Sequence, residues 1–138
     1  MSEIGKCESC SADFSYDLLH SGFADCAYAY CERCGTTAII SGWGKCPTGA
    51  PLEIHKAITA ALEPFLANCA CGGKFRAGAS PRCRACTNLL SAELASLWIE
   101  SNAPGTAQGW QWQRNWSGLY GIVIEKHLVK DPWRQELL

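Results

Sequence analysis

"CACGGKFRAGASPRCRAC", residues 69–86, places four cysteines (Cys69, Cys71, Cys83, Cys86), four cations (Lys74, Arg76, Arg82, Arg84) and three glycines in eighteen positions. How its thiols are used decides the fold. The closing pair, Cys83 and Cys86, has the two-residue spacer that lets both sulfurs face one ion. The opening pair, Cys69-x-Cys71, is one residue tighter, and Gly72 and Gly73 permit the sharper turn it requires. Between the pairs, "KFRAGAS" reads as a short strand and turn.

A second set of knuckles lies upstream, "CESC" at Cys7 and Cys10 and "CERCG" at Cys31 and Cys34, with twenty residues between them. Paired C-x-x-C motifs at that separation read as one four-cysteine metal site. "ADFSYDL" and "AYAYC" alternate as half-buried strands do, and "HSGFAD" reads as the loop joining them into a hairpin. The expected ligand sets are therefore Cys7, Cys10, Cys31 and Cys34 at one site and Cys69, Cys71, Cys83 and Cys86 at the other. Each would take one Zn²⁺, although four thiolates also suit iron.

The rest of the composition bounds the reading. With 138 residues, 48% hydrophobic and 18% charged, the chain has the make-up of a folded protein and length for one cooperative unit or two very small modules. "MSEIGKCESC" lacks the apolar core of a secretory leader, and no stretch is long enough to span a membrane, so a cytoplasmic protein is expected. Ten cysteines in a reducing compartment favour metal over disulfides. Formal charge is −1, and two divalent ions each held by four thiolates would move it to about −5, a poor balance for gripping phosphates.

Elsewhere, "APLEIHKAITAALEPFLAN" repeats Ile54, Ile58 and Leu62 every four residues beside Ala57 and Ala61, and reads as an amphipathic helix begun near Pro51 and ended or kinked by Pro64. "TNLLSAELASLWIES" reads as a second helix, with Ser91 as N-cap, Glu93 in its first turn and Leu94, Leu97 and Trp98 on one face. "NAPGTAQG" is a loop. "WQWQRNWSGLYGIVIEKHLVKDPW" then changes to a period of two and predicts a small antiparallel sheet. The organisation expected is residues 1–50, residues 51–68 as connecting helix and residues 69–138, all parts of one unit.

Residues 7–40 resemble the zinc-ribbon family through "CESC" and "CERCG", and residues 69–86 with the following helix look like a treble clef or a rubredoxin-like knuckle pair. The resemblance implies an α+β fold: two four-cysteine modules of zinc-ribbon and treble-clef type joined by the amphipathic helix, then a helix and a C-terminal antiparallel sheet. It implies no single activity, because ribbons serve many functions. The order of elements resembles small bacterial zinc-ribbon proteins, and within that class the acidic charge suits an inhibitor or immunity protein docking on a basic toxin or nuclease.

Catalysis finds little support. "PRCRAC" resembles half of a zinc deaminase signature, but Arg82 separates Pro81 from Cys83 and no matching H-x-E or C-x-E precedes it. A four-thiolate shell also leaves no open position for water. Cys26 near His20, or Cys46 near His55, would be the candidates for a thiol nucleophile or redox switch, and His127 sits by a turn. A non-catalytic module acting on another macromolecule is expected, with a protein partner preferred and nucleic acid the alternative. The alternative would use Lys74, Arg76, Arg82 and Arg84 with Trp110, Trp112 and Arg114 as cations and stacking rings.

Overall fold

"CAYAYC" forms strand β3 (Cys26–Cys31), and all six of its residues are buried. A strand with both faces covered must have a packed layer on each side, and its alternation assigns them. Tyr28 and Tyr30 point into one core with Phe14, Tyr16, Ile122 and Ile124. Ala27, Ala29 and Cys31 point into another with Ile40, Ile58, Leu62, Phe75 and Trp133.

The computed structural model describes residues 3–20, 25–41, 46–90 and 120–137. The other strands are β1 (Glu3–Lys6), β2 (Asp13–His20), β4 (Thr37–Ser41), β5 (Phe75–Arg76), β6 (Tyr120–Ile124) and β7 (Leu128–Lys130). They make a three-stranded sheet ordered β1-β2-β6 and a four-stranded sheet ordered β5-β3-β4-β7. All pairings are antiparallel except β4 with β7. No described helix is long and apolar enough to cross a membrane.

The two sheets are joined by side chains of β3 and β4 reaching the free edge of β6. The Tyr30 hydroxyl accepts from Ile122 N–H at 2.9 Å, and the Thr37 hydroxyl donates to Ile122 O at 2.6 Å. The backbone of β6 can come so close because residue 121 is glycine: a Cβ there would meet the Tyr28 ring and the Tyr30 hydroxyl at 3.1 Å. Buried edge groups of β6 thus find partners that no neighbouring strand supplies.

The α+β expectation is corrected here, because the described fold is β with two short 3-10 helices, Ala60–Phe65 and Gln135–Leu137. Residues 51–68 are not an amphipathic helix. Residues 55–58 instead lie along the edge of β3, with His55 N–H bonded to Cys26 O at 2.8 Å and Ile58 N–H to Tyr28 O at 3.0 Å. His55 has φ +71°, outside the helical region, and the consecutive Ala57 and Ile58 enter different cores. The edge of β3 offered carbonyls that a helix would have left unpaired, and this outweighed the four-residue repeat. Pro64 is held within the 3-10 turn.

Two further corrections concern connections. The strands at "ADFSYDL" and "AYAYC" exist as β2 and β3 but belong to different sheets, so they are not a hairpin with each other. The C-terminal strands do not form a sheet of their own either. Ile124 O accepts from His127 N–H across a turn with Glu125 and Lys126 at φ +48° and +60°, and this turn sends β6 to one sheet and β7 to the other. The expected helix at 91–101, the loop after it and the strand carrying Trp110 and Trp112 lie outside the described residues.

Replacing Tyr30 with Phe would leave the buried Ile122 N–H without its acceptor, at a cost of about 1–3 kcal/mol. Urea unfolding of the metal-loaded protein should show that loss as a lower midpoint with an unchanged slope.

Candidate metal centres

The local backbone explains how each knuckle aims its sulfurs. In "CESC", Ser11 N–H bonds to Cys7 O and Cys7 N–H to Ala12 O, both at 2.9 Å, with Ser11 at φ +64°. "CERC" repeats the pattern through Gly35 and Thr36, with Gly35 at φ +77°, and "CRAC" repeats it through Thr87 and Asn88, with Thr87 at φ +64°. Each is a one-turn loop closed by a residue in the left-handed region. The shorter Cys69-x-Cys71 knuckle has the same closure with one residue removed: Gly72 N–H bonds to Cys69 O at 2.9 Å, Cys69 N–H to Gly73 O at 2.8 Å, and Gly72 sits at φ +92°. The extra glycines compensate for the missing residue.

The eight cysteines converge as two tetrads, in a pairing other than the expected one. Cys7 and Cys10 meet Cys83 and Cys86, forming the first centre, while Cys31 and Cys34 meet Cys69 and Cys71, forming the second. The sets Cys7/Cys10/Cys31/Cys34 and Cys69/Cys71/Cys83/Cys86 are therefore corrected to a nested arrangement, in which the outer knuckles join and the inner knuckles join. Its cause is the sheet topology. The first knuckle is the turn between β1 and β2, the second is the turn between β3 and β4, and these hairpins lie in different sheets. The strand β5 then pairs with β3 and sets Cys69 and Cys71 beside the second knuckle.

Across the first centre the sulfurs of Cys7 and Cys86 are 3.6 Å apart and those of Cys10 and Cys83 3.7 Å. Across the second, Cys31 and Cys71 are 3.4 Å apart and Cys34 and Cys69 3.6 Å. Disulfide sulfurs would be about 2.05 Å apart, and all ten cysteines are free thiols. A tetrahedral ion with bonds of about 2.3 Å to sulfur sets its ligands about 3.8 Å apart, close to the spacing here. Both cages can hold a metal ion.

Thiols held this close cannot all ionise unaided. In the first centre the Cys10 backbone N–H holds Cys7 down to about 7 despite burial. Cys86 accepts from the Asn88 backbone but is pushed up to about 12 by burial and its three neighbouring sulfurs. In the second centre burial raises Cys34, yet the Thr36 hydroxyl and backbone and the facing thiols bring it down to about 6. Cys31 is pushed up to about 12, chiefly by burial. Cys7 ionises readily in the first tetrad while Cys10 and Cys86 resist, and Cys34 ionises readily in the second while Cys31 and Cys69 resist, which is the electrostatic demand a divalent cation meets.

The cationic cluster is engaged at these cages. Arg82 donates to Glu32 O at 3.0 Å and Thr87 O at 2.8 Å, Arg84 to Cys34 O at 3.2 Å, and Arg33, not singled out from the sequence, to Cys71 O at 3.1 Å. Arg76 pairs with Glu32 at 2.6 Å and Glu63 at 3.1 Å. Lys74 is exposed and, with Arg76, Glu63, Arg134 and Glu136, lines an open groove of about 680 Å³. Trp110, Trp112 and Arg114 lie outside the described residues. Neither remaining cysteine joins a tetrad. Cys26 is buried and its thiol is pushed up to about 11 by burial and by Asp25 and Asp131. The Cys46 thiol faces Pro47 O at 3.8 Å, while the His55 ring is held by Asp25 at 2.8 Å.

Two four-cysteine cages on a pair of β-sheets define a β protein built around thiolate sites able to hold metal. Residues 3–91 match the family described as "Domain of unknown function (DUF8255)", and the chain belongs to that family. The matched region contains all eight cage cysteines. No curated protein and no solved structure matches the chain.

Nested pairing has a clear signature in double variants. Cys10→Ser with Cys86→Ser alters one cage only, so native mass spectrometry should find one ion retained. Cys10→Ser with Cys34→Ser damages both cages and should lower retention at both. The reverse result would restore the sequential pairing.

Proposed function

We propose that the chain is a non-catalytic zinc protein of the cytoplasm, in which two Zn²⁺ ions hold the β scaffold and the surface docks on another protein. The observation that carries this reading is the closure of both cages: four sulfurs converge in each, and a shell filled by thiolates leaves the ion no position at which to activate water. The Cys26 thiol, buried and pushed up to about 11, is a poor nucleophile at neutral pH. Free thiols throughout fit a reducing compartment.

A protein partner is favoured over nucleic acid because three of the four cations in residues 74–84 that would grip phosphate have other work. Arg82 and Arg84 bind backbone carbonyls of the second knuckle, and Arg76 is shared by two glutamates. With two tetrathiolate zinc ions the chain would carry about −5, which suits a basic partner of the kind an inhibitor or immunity protein blocks.

Elemental analysis of the purified chain should find two zinc ions per molecule and no colour; a red iron protein would replace this reading with electron transfer. A partner should bind in fixed stoichiometry, with affinity falling as salt rises. Gel shift of RNA or DNA at physiological salt, with no protein bound, would overturn the choice of partner. Arg82→Ala should cost the holo-protein about 1.5–3 kcal/mol of stability through the charged hydrogen bonds it loses, read as a lower urea midpoint.

A further inference from the structure

The two cages are in direct contact. Gly35, which closes the second knuckle, lies so near the fourth that a Cβ on it would stand 2.4 Å from Arg82 N. Arg84 lies between Cys83 and Cys86, both ligands of the first centre, yet its guanidinium reaches the second. It donates to Cys34 O at 3.2 Å and to the Thr36 hydroxyl at 3.3 Å. That hydroxyl is 3.0 Å from the Cys34 sulfur. The direction of the chain of bonds is fixed by chemistry. A guanidinium only donates, so it occupies a lone pair of the Thr36 oxygen, and a metal-bound thiolate only accepts, so the hydroxyl proton points to sulfur.

We propose that Arg84 and Thr36 form a relay that couples ion binding at the two centres. The inference rests on the metal-site reading above. Closing the fourth knuckle around an ion holds Arg84 in place, and Arg84 then fixes the Thr36 hydroxyl as a donor to Cys34. A donor to a ligand sulfur orients it for the ion. By reciprocity an ion in the second centre, which fixes Cys34 and its carbonyl, favours the closed fourth knuckle and so the first centre. Thr36 and Arg84 act as positioning residues, since neither touches the ion.

The test is the distribution of bound ions when reduced, metal-free protein receives one equivalent of Zn²⁺, measured by native mass spectrometry. Two equal, independent sites would put about half of the chains in the one-ion state, and a tenfold coupling would reduce that share to about a quarter. Wild type should show the depleted one-ion state. Thr36→Val, close in shape, and Arg84→Met should each restore it towards half while still taking two ions at excess zinc, and the double variant should add little to either. Arg33→Met, which cuts a contact confined to the second centre, should weaken binding and leave the one-ion state depleted. A wild-type share of half or more, or a share that neither relay variant moves, overturns the coupling. Failure of wild type to take two ions at excess zinc would instead refute the metal-site reading on which it rests. Arg84→Lys keeps the charge but replaces the planar guanidinium whose Nη1 makes both contacts, and a share midway between wild type and Arg84→Met is expected of it.

Discussion

Repulsion among converging thiolates is the constraint around which this molecule is arranged. Four sulfurs within 4.8 Å of one another cannot all be charged in the absence of a cation, and the chain brings eight of them into two such groups. Each knuckle turns its backbone N–H groups inward to its own cysteines, leaving carbonyls outside. The arginines answer those carbonyls: Arg33 from the second knuckle to the third, and Arg82 and Arg84 from the fourth to the second. A divalent ion in four thiolates would still carry a net −2, so placing cations at the rims also offsets charge that the ions leave over.

Between the two cores runs β3, and its burial on both faces explains how so short a chain sustains them. The tyrosines serve the side facing β2 and β6, and small alanines let Ile58, Leu62 and Leu66 lie close on the other. Tyr28 and Tyr30 meet edge-on with centroids 5.9 Å apart, filling the volume between the sheets with two rings. Trp133 completes the opposite core at 3% exposure, bridging to Leu66. The second cage grows directly from the end of this strand, since Cys31 is both the last residue of β3 and one of its four cysteines.

The cage cysteines were legible in the sequence and their partners were not. Spacing within a knuckle is local and leaves a fixed mark, C-x-x-C with a left-handed residue after it, or C-x-C with glycine in that place. Pairing between knuckles is a matter of topology. Cys10 and Cys83 are 73 positions apart instead of the 21 that separate Cys10 from Cys31, and the added closure entropy is only about 1 kcal/mol, too little to impose the sequential order on a packed fold. The strands at Asp13–His20 and Cys26–Cys31 were legible from alternation, and that at Tyr120–Ile124 as a buried apolar run. Residues 51–68 misled because Ile54, Ile58 and Leu62 satisfy a helical period by spacing alone. The competing claim, carbonyls of Cys26 and Tyr28 awaiting donors, belongs to a strand some thirty residues away. Likewise the basic cluster reads as a surface feature until Glu32, Glu63 and the knuckle carbonyls are set beside it.

The nested order of the knuckles also governs what happens to a broken or doubled chain. A peptide bond cut anywhere between Cys34 and Cys69 would yield two pieces, each holding one half of both cages and neither able to complete one alone. Such fragments would also share the pairing of β2 with β6 and of β3 with β5, so ions in the cages would add cross-links to a joint that the sheets already make. By the same geometry two intact molecules could exchange these halves, each lending its later knuckles to the other's earlier ones, and the resulting intertwined pair would contain the same ligand sets as the monomer.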